Sequence, residues 1–176
     1  MWRGIGYSIL SLVVALACGA SGSALPEGWR FPTEAELSDE VLRADSPTRY
    51  ARAAADFNAD GTLDEAVLVK ATRSSGEALL VHLSCGVDCF EWVTLSTSDF
   101  GTDRPNVPLL MGVDLATPGT YEYICVEIND DCVEIEEGVR PQMTIGTPAV
   151  AYFRFESASS FFYWNDGKFI RVWTSD

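Results

Sequence analysis

The 176-residue chain predicts a mainly β fold, an antiparallel sheet or partly closed barrel of about eight or nine short strands with one N-terminal helix. Three observations carry this. Short runs rich in Val, Ile, Thr and aromatic residues recur between clusters of Gly, Pro, Asn, Asp and Ser, the pattern of strands separated by turns. Nearly all the aromatic weight falls inside those runs. Asn165-Asp166-Gly167 separates the last two of them, and these residue types tolerate the positive φ of a tight hairpin.

Taken in order, Met1-Trp2-Arg3 is a short basic start, Ile5 to Ala17 is mostly apolar, and small residues follow through Ala24. That is the three-part pattern of a secretory signal, too short for a spanning helix. Two cleavage readings stand: residues 1–24 leave at Gly22-Ser23-Ala24, or residues 1–17 leave as a lipoprotein signal before Cys18. The second lacks the leucine usual three residues before the cysteine. Residues 25–176 then form one β-rich domain. After Leu25-Pro26-Glu27-Gly28-Trp29-Arg30-Phe31-Pro32, Thr33 with Glu36 is a capping box. Leu37, Val41 and Leu42 recur at helical spacing and Ser46-Pro47 stops the run, which predicts a helix of roughly a dozen residues.

Strands are expected over Tyr50 to Ala55, Glu65 to Ala71, Ala78 to Ser84 and Phe90 to Leu95. Beyond a polar loop from Ser98 to Pro108, further segments are Leu109 to Leu115, Tyr121 to Ile128, Cys132 to Ile135, Ala149 to Glu156, Ser160 to Trp164 and Phe169 to Thr174. The aromatic residues of the last two supply pairs across their hairpin.

Acidic residues outnumber basic ones 26 to 12, for a net charge of −14. Nucleic acid is excluded as an expected partner, since phosphate binding draws on clustered Lys and Arg and here the positive residues are scattered. The acidity serves solubility, or concentrates cations near the chain. Five cysteines become four if Cys18 is removed or acylated, and an even number outside the cytoplasm reads as disulfides. Local bridges Cys85 with Cys89 and Cys125 with Cys132 are expected, with a tetrahedral zinc site as the rival.

Asp56-Phe57-Asn58-Ala59-Asp60-Gly61-Thr62-Leu63-Asp64 places oxygen side chains at loop positions 1, 3, 5 and 9 with glycine at 6. Ca²⁺ takes about six to eight oxygen ligands, and alternate residues of a tightly turning loop can face one centre. Asp56, Asn58 and Asp60 would supply side-chain oxygens, Thr62 a backbone carbonyl, and Asp64 the closing ligand. An EF-hand needs a Glu at position 12 and flanking helices; Val67 stands there and both flanks read as strands. The alternative is an Asp- and Asn-rich turn that binds nothing.

The segment from Ala55 through Leu68 resembles the calcium loops of FG-GAP and VCBS repeats, with their Asp-x-Asn-x-Asp-Gly-x-x-Asp pattern. The resemblance implies Asp56, Asn58, Asp60, Thr62 and Asp64 as ligands. It covers one unit, whereas a propeller needs about four blades, so the propeller fold is not implied.

A second acidic cluster, Glu127, Asn129, Asp130, Asp131, Glu134, Glu136 and Glu137, lacks the glycine and the alternation and reads as a solvated hairpin. His82, the single histidine, falls out of phase with Leu79, Val81 and Leu83, which sends it to the sheet's other face. Tyr152, Tyr163, Trp164 and Trp173 read as cross-strand packing or as a ligand platform. These features together predict an exported, non-enzymatic β-rich protein of the cell envelope, an interaction module with structural Ca²⁺ and a protein partner. It would be periplasmic or secreted, or lipid-anchored in the outer membrane through Cys18. An inhibitor or immunity-type protein against a hydrolase is the alternative. A third reading is an envelope enzyme, with His82 or a carboxylate pair in a deep pocket.

Overall fold

A computed structural model describes residues 24–38, 43, 45–86, 89–99, 107–124, 140–154 and 156–175. It is mainly β, with antiparallel sheets curled into a half-barrel. The first sheet contains β1 (Trp29–Arg30), β2 (Arg52–Ala55), β3 (Asp64–Ala71), β4 (Glu77–Gly86) and β5 (Cys89–Ser98). β3, β4 and β5 are successive antiparallel neighbours, while β1 and β2 lie end to end along the other edge of β3. The second sheet contains β6 (Met111–Ala116), β9 (Ala149–Arg154), β10 (Ser159–Asn165) and β11 (Lys168–Ser175), in the order β11-β10-β9-β6. A two-stranded hairpin of β7 (Gly119–Glu122) and β8 (Gln142–Ile145) stands beside it.

The near-continuous apolar runs of β3 and β4 follow from burial on both faces. Ala66, Leu68, Leu79, Val81 and Leu83 point into the main core with Val113, Val150, Tyr152 and Phe162 of the second sheet. The alternate residues Val67, Val69, Ala78 and Leu80 pack outward beneath Leu25, Trp29 and Trp92. A third cluster, Ala116, Ile145, Ala149 and Phe161, is covered by Tyr121 and Met143 of the small hairpin. In each case a side chain's face is fixed by the period-two alternation of the strand.

The sheets join beside β6. Val113 N donates to Tyr50 O at 2.9 Å and Leu109 N to Glu36 O at 2.8 Å. Glu77 accepts from Leu110 N at 2.9 Å and Met111 N at 3.3 Å. Arg43 donates to Leu109 O at 3.4 Å and Met111 O at 3.1 Å. On the opposite side β5 approaches β10 and β11 through side chains, and no ladder between the two sheets closes the barrel among the described residues.

Among the described residues there are eleven strands rather than eight or nine: β1 and β8 are short pieces whose Gly- and Pro-flanked sequences read as loops, β7 meets only the start of the strand expected over Tyr121 to Ile128, and the strand expected over Cys132 to Ile135 lies outside the described residues. β2 starts at Arg52, since Tyr50 adopts φ 57° and interrupts the extended run. The dozen-residue helix is not found among the described residues. One helical turn, Glu34–Leu37, follows a complete Thr33–Glu36 capping box and ends at Ser38, whose ψ is 98°. The Ser38 hydroxyl donates to Ala35 O at 2.6 Å, a local bond of the kind that competes with helix continuation. Residues 39–42 lie outside the described residues.

The capping glutamate also holds the N-terminal segment. Glu36 is fully enclosed and meets both terminal nitrogens of Arg30 at 2.7 Å, with Thr33 N at 2.8 Å on the same carboxylate. The Arg30 hydrogen bonds, assisted by Thr33 and opposed by burial, bring the Glu36 carboxyl from 4.5 down to about 2. Because the folded value is depressed, this stabilisation is complete above the unfolded value and is lost as pH falls through about 4.5 towards about 2. Arg30 is 34% exposed and partly screened, so Glu36→Gln should destabilise by about 2 kcal/mol at pH 7. Urea unfolding at pH 7 and again at the acid end should show the difference from wild type shrinking to near zero.

Candidate functional site

The loop from Asp56 to Leu63 leaves β2 and enters β3 at Asp64. Two residues let it turn this tightly: Gly61 at φ 86° and Ala59 at φ 60°. The first suits glycine, and the second is a left-handed alanine held by the bonds around it. Phe57 is fully buried and meets the Phe169 ring edge-on at 6.4 Å, which pins the loop to the core.

The expected ligands occupy one compact turn, and each has a defined partner. Asp56 accepts from Asp60 N at 3.1 Å and Gly61 N at 2.9 Å. Asn58 Oδ1 accepts from Asp60 N at 3.2 Å, and Asp60 Oδ1 from Thr62 N at 2.8 Å. Thr62 contributes its amide here. Asp64 is 1% exposed and accepts from Phe57 N and Ser84 N, both at 2.8 Å. Among the described residues no three His, Cys, Asp or Glu side chains share a centre in the manner of a formed metal cluster; in this conformation the carboxylates accept from the backbone of their own turn and from Ser84 of β4.

Ser84 of β4 is the residue that spacing in the sequence misses. It donates through its hydroxyl to Asp60 at 2.5 Å, through its amide to Asp64, and accepts from Asn58 Nδ2 at 2.8 Å. The hydroxyl is the leading cause that holds the Asp60 carboxyl below the usual carboxylate range, with Thr62 and Asn58 adding to it. The only sequence signal lay in register. Glu65 pairs with His82, so the antiparallel ladder carries Ser84 alongside the end of the loop.

Cys85 and Cys89, next along the chain, form a disulfide with Cα atoms 5.1 Å apart, as expected. Cys18, Cys125, Cys132 and the acidic cluster from Glu127 to Glu137 lie outside the described residues. His82 stacks on Phe90 and meets Trp92 at a tilt, each with ring centroids 4.7 Å away, on the face opposite Leu79, Val81 and Leu83. It lines none of three cavities: one of about 340 Å³ against Glu91, Trp164 and Phe169, one of about 330 Å³ against Tyr152 and Arg171, and one of about 390 Å³ at Gly28 and Ala71. The C-terminal aromatics divide. Tyr163 lies 6.3 Å from Phe161, Trp164 borders the first cavity, and Tyr152 and Trp173 border the second.

No helix among the described residues is long and apolar enough to cross a membrane. Comparison with protein-family models, curated proteins and solved structures finds no match for this chain.

Asp64 is a structural tie whatever else the loop does. Asp64→Asn replaces one acceptor with a donor facing a buried amide, and leaving such a group unsatisfied costs about 1–3 kcal/mol. Urea titrations in the presence of a chelator should show that loss in full, since none of it depends on a cation.

Proposed function

We propose that this chain is an exported, non-enzymatic interaction module in which the Asp56–Asp64 loop takes one structural Ca²⁺. The observation that carries the reading is the loop itself: Asp56, Asn58, Asp60 and Asp64 gathered on one turn, backed by a buried phenylalanine and by Ser84. All are oxygen donors suited to a hard cation. Each carboxylate oxygen has more than one lone pair, so acceptance from an amide does not consume its capacity. When bound, the ion would neutralise charge that the turn now concentrates. Asp56, Asn58, Asp60, Asp64 and the Thr62 carbonyl would hold it.

The interaction role is supported by what surrounds the loop. Leu63 is 68% exposed and Phe90 42% exposed, both at the end of the sheet where the disulfide closes β4 onto β5. Large apolar side chains left in water beside a rigid turn suit a protein partner. Export, to the periplasm or beyond, is read from the basic-apolar-small pattern of residues 1–24 and from the disulfide.

Extracellular calcium modules bind at about 10⁻⁴ to 10⁻³ M, so about 1 mM calcium would contribute about 0.4 to 1.4 kcal/mol. For a domain of this size that is a rise in Tm of about 1 to 5 °C. Thermal melts with calcium, with magnesium and with chelator should show the rise for calcium alone, and Asp60→Ala should remove it. No rise, together with no heat in a direct calcium titration, would sink the proposal.

A further inference from the structure

The cavity of about 330 Å³ lies on the open side of the half-barrel, between β5 and the second sheet. Ser96, Thr97 and Ser98 border it from β5, and Met111, Tyr152, Arg154, Arg171 and Trp173 from the sheet opposite. Its volume is at the low end of small-molecule sites.

Two features of its wall have no structural explanation. The first is the Tyr152 hydroxyl, which is buried in a residue only 2% exposed and has no hydrogen-bond partner among the described residues. Buried polar atoms are nearly always paired, and an orphan points to a missing partner. The second is Arg171. This half-buried guanidinium lies 3.8 Å over the Trp173 ring and 5.5 Å from the Tyr152 ring centroid. Its Nε donates to Ser160 Oγ at 3.1 Å, and Ser160 is itself buried and bonded to Tyr152 O at 3.2 Å. That bond and the stacking set the plane of the fork, and neither terminal nitrogen has an acceptor among the described residues. Neither Arg171 nor its neighbour Arg154 has a carboxylate partner among the described residues, in a chain with 26 acidic side chains. Burial pushes the Arg171 pKa down, the direction expected of a cation that has lost water and gained no counter-charge.

We propose that this cleft binds a small organic oxyanion, a carboxylate or phosphate, held by the Arg171 fork and the Tyr152 hydroxyl with Arg154 at the mouth. The chemistry of the donors selects the ligand. A planar guanidinium fixed on an aromatic ring matches the two oxygens of a carboxylate or phosphate. A phenol hydroxyl beside it donates a third bond. Met111 and Trp173 give an apolar wall for a compact ligand body. The site is separate from the calcium loop and does not depend on it.

The test uses the full domain, stripped of divalent ions on a chelating resin because soluble chelators are themselves carboxylates. Calorimetric titration at low ionic strength would use benzoate as the carboxylate probe and inorganic phosphate as the other. One or both should bind with 1:1 stoichiometry, and the stronger names the class. Tyr152→Phe should weaken that binding about 10-fold while leaving Tm unchanged or raised, because the hydroxyl it removes has no partner to lose. Arg171→Gln should weaken it further, and Asp60→Ala should leave it as in wild type. The proposal is overturned if neither probe binds tighter than about 10 mM, or if Tyr152→Phe binds as wild type does. Should Arg171→Gln fail to fold, Tyr152→Phe alone decides the matter.

Discussion

The two sheets are joined by buried charge on a short piece of backbone. Leu109 to Met111, at the entry to β6, is held by the Glu77 carboxylate, the Arg43 guanidinium and the Glu36 carbonyl. Glu36, Arg43, Lys70 and Glu77 are all at most 2% exposed. Lys70 lies 3.3 Å from Glu77 and donates to Ser75 O at 3.1 Å, so the glutamate's charge is balanced inside the protein. Burying such groups is costly, and losing one partner of a buried pair costs about 3–5 kcal/mol. A one-residue slip of β6 would strand these charges and also turn its apolar side chains to the wrong face. The register of the second sheet therefore depends on a polar match, to which the apolar core then conforms.

The same economy of charge runs through both sites. Around Asp56 to Asp64, carboxylates gather and are stabilised by N–H donors and the Ser84 hydroxyl. Across the half-barrel, Arg171 is fixed by stacking and by Ser160, and its remaining donors meet no acceptor among the described residues. One site concentrates negative potential and the other concentrates positive in a strongly acidic chain. Local arrangement, more than net charge, decides what each can attract.

Much of the framework could be read from the sequence, and what could not has a physical reason. The runs that became β3, β4, β10 and β11 combine strand periodicity with strong turn signals, and the Cys85–Cys89 spacing matched a hairpin end. The capping box was right about where the helix begins, because capping is a local interaction. Helix length was misjudged because spacing alone could not weigh Ser38, which bonds its own turn and takes an extended conformation. Ser84, Arg43 and Glu77 were invisible for a different reason. Their partners are distant in sequence, and only the strand register brings them within reach. His82 shows the converse: its phase relative to Leu79, Val81 and Leu83 was enough to place it on the outer face, where it lies against the Phe90 and Trp92 rings.

The missing ladder between β5 and the second sheet among the described residues has a mechanical consequence. Along β2 and β6 the sheets are fastened by backbone hydrogen bonds and buried charges, whereas between β5 and β10–β11 only side chains meet. Separating that second side breaks no ladder bond, so the least costly deformation is a swing of one sheet against the other about the Leu109–Met111 join as hinge. On that argument the Leu109–Met111 join is the spine of the fold, and an opening would expose the side where Tyr152, Arg171 and Trp173 face β5.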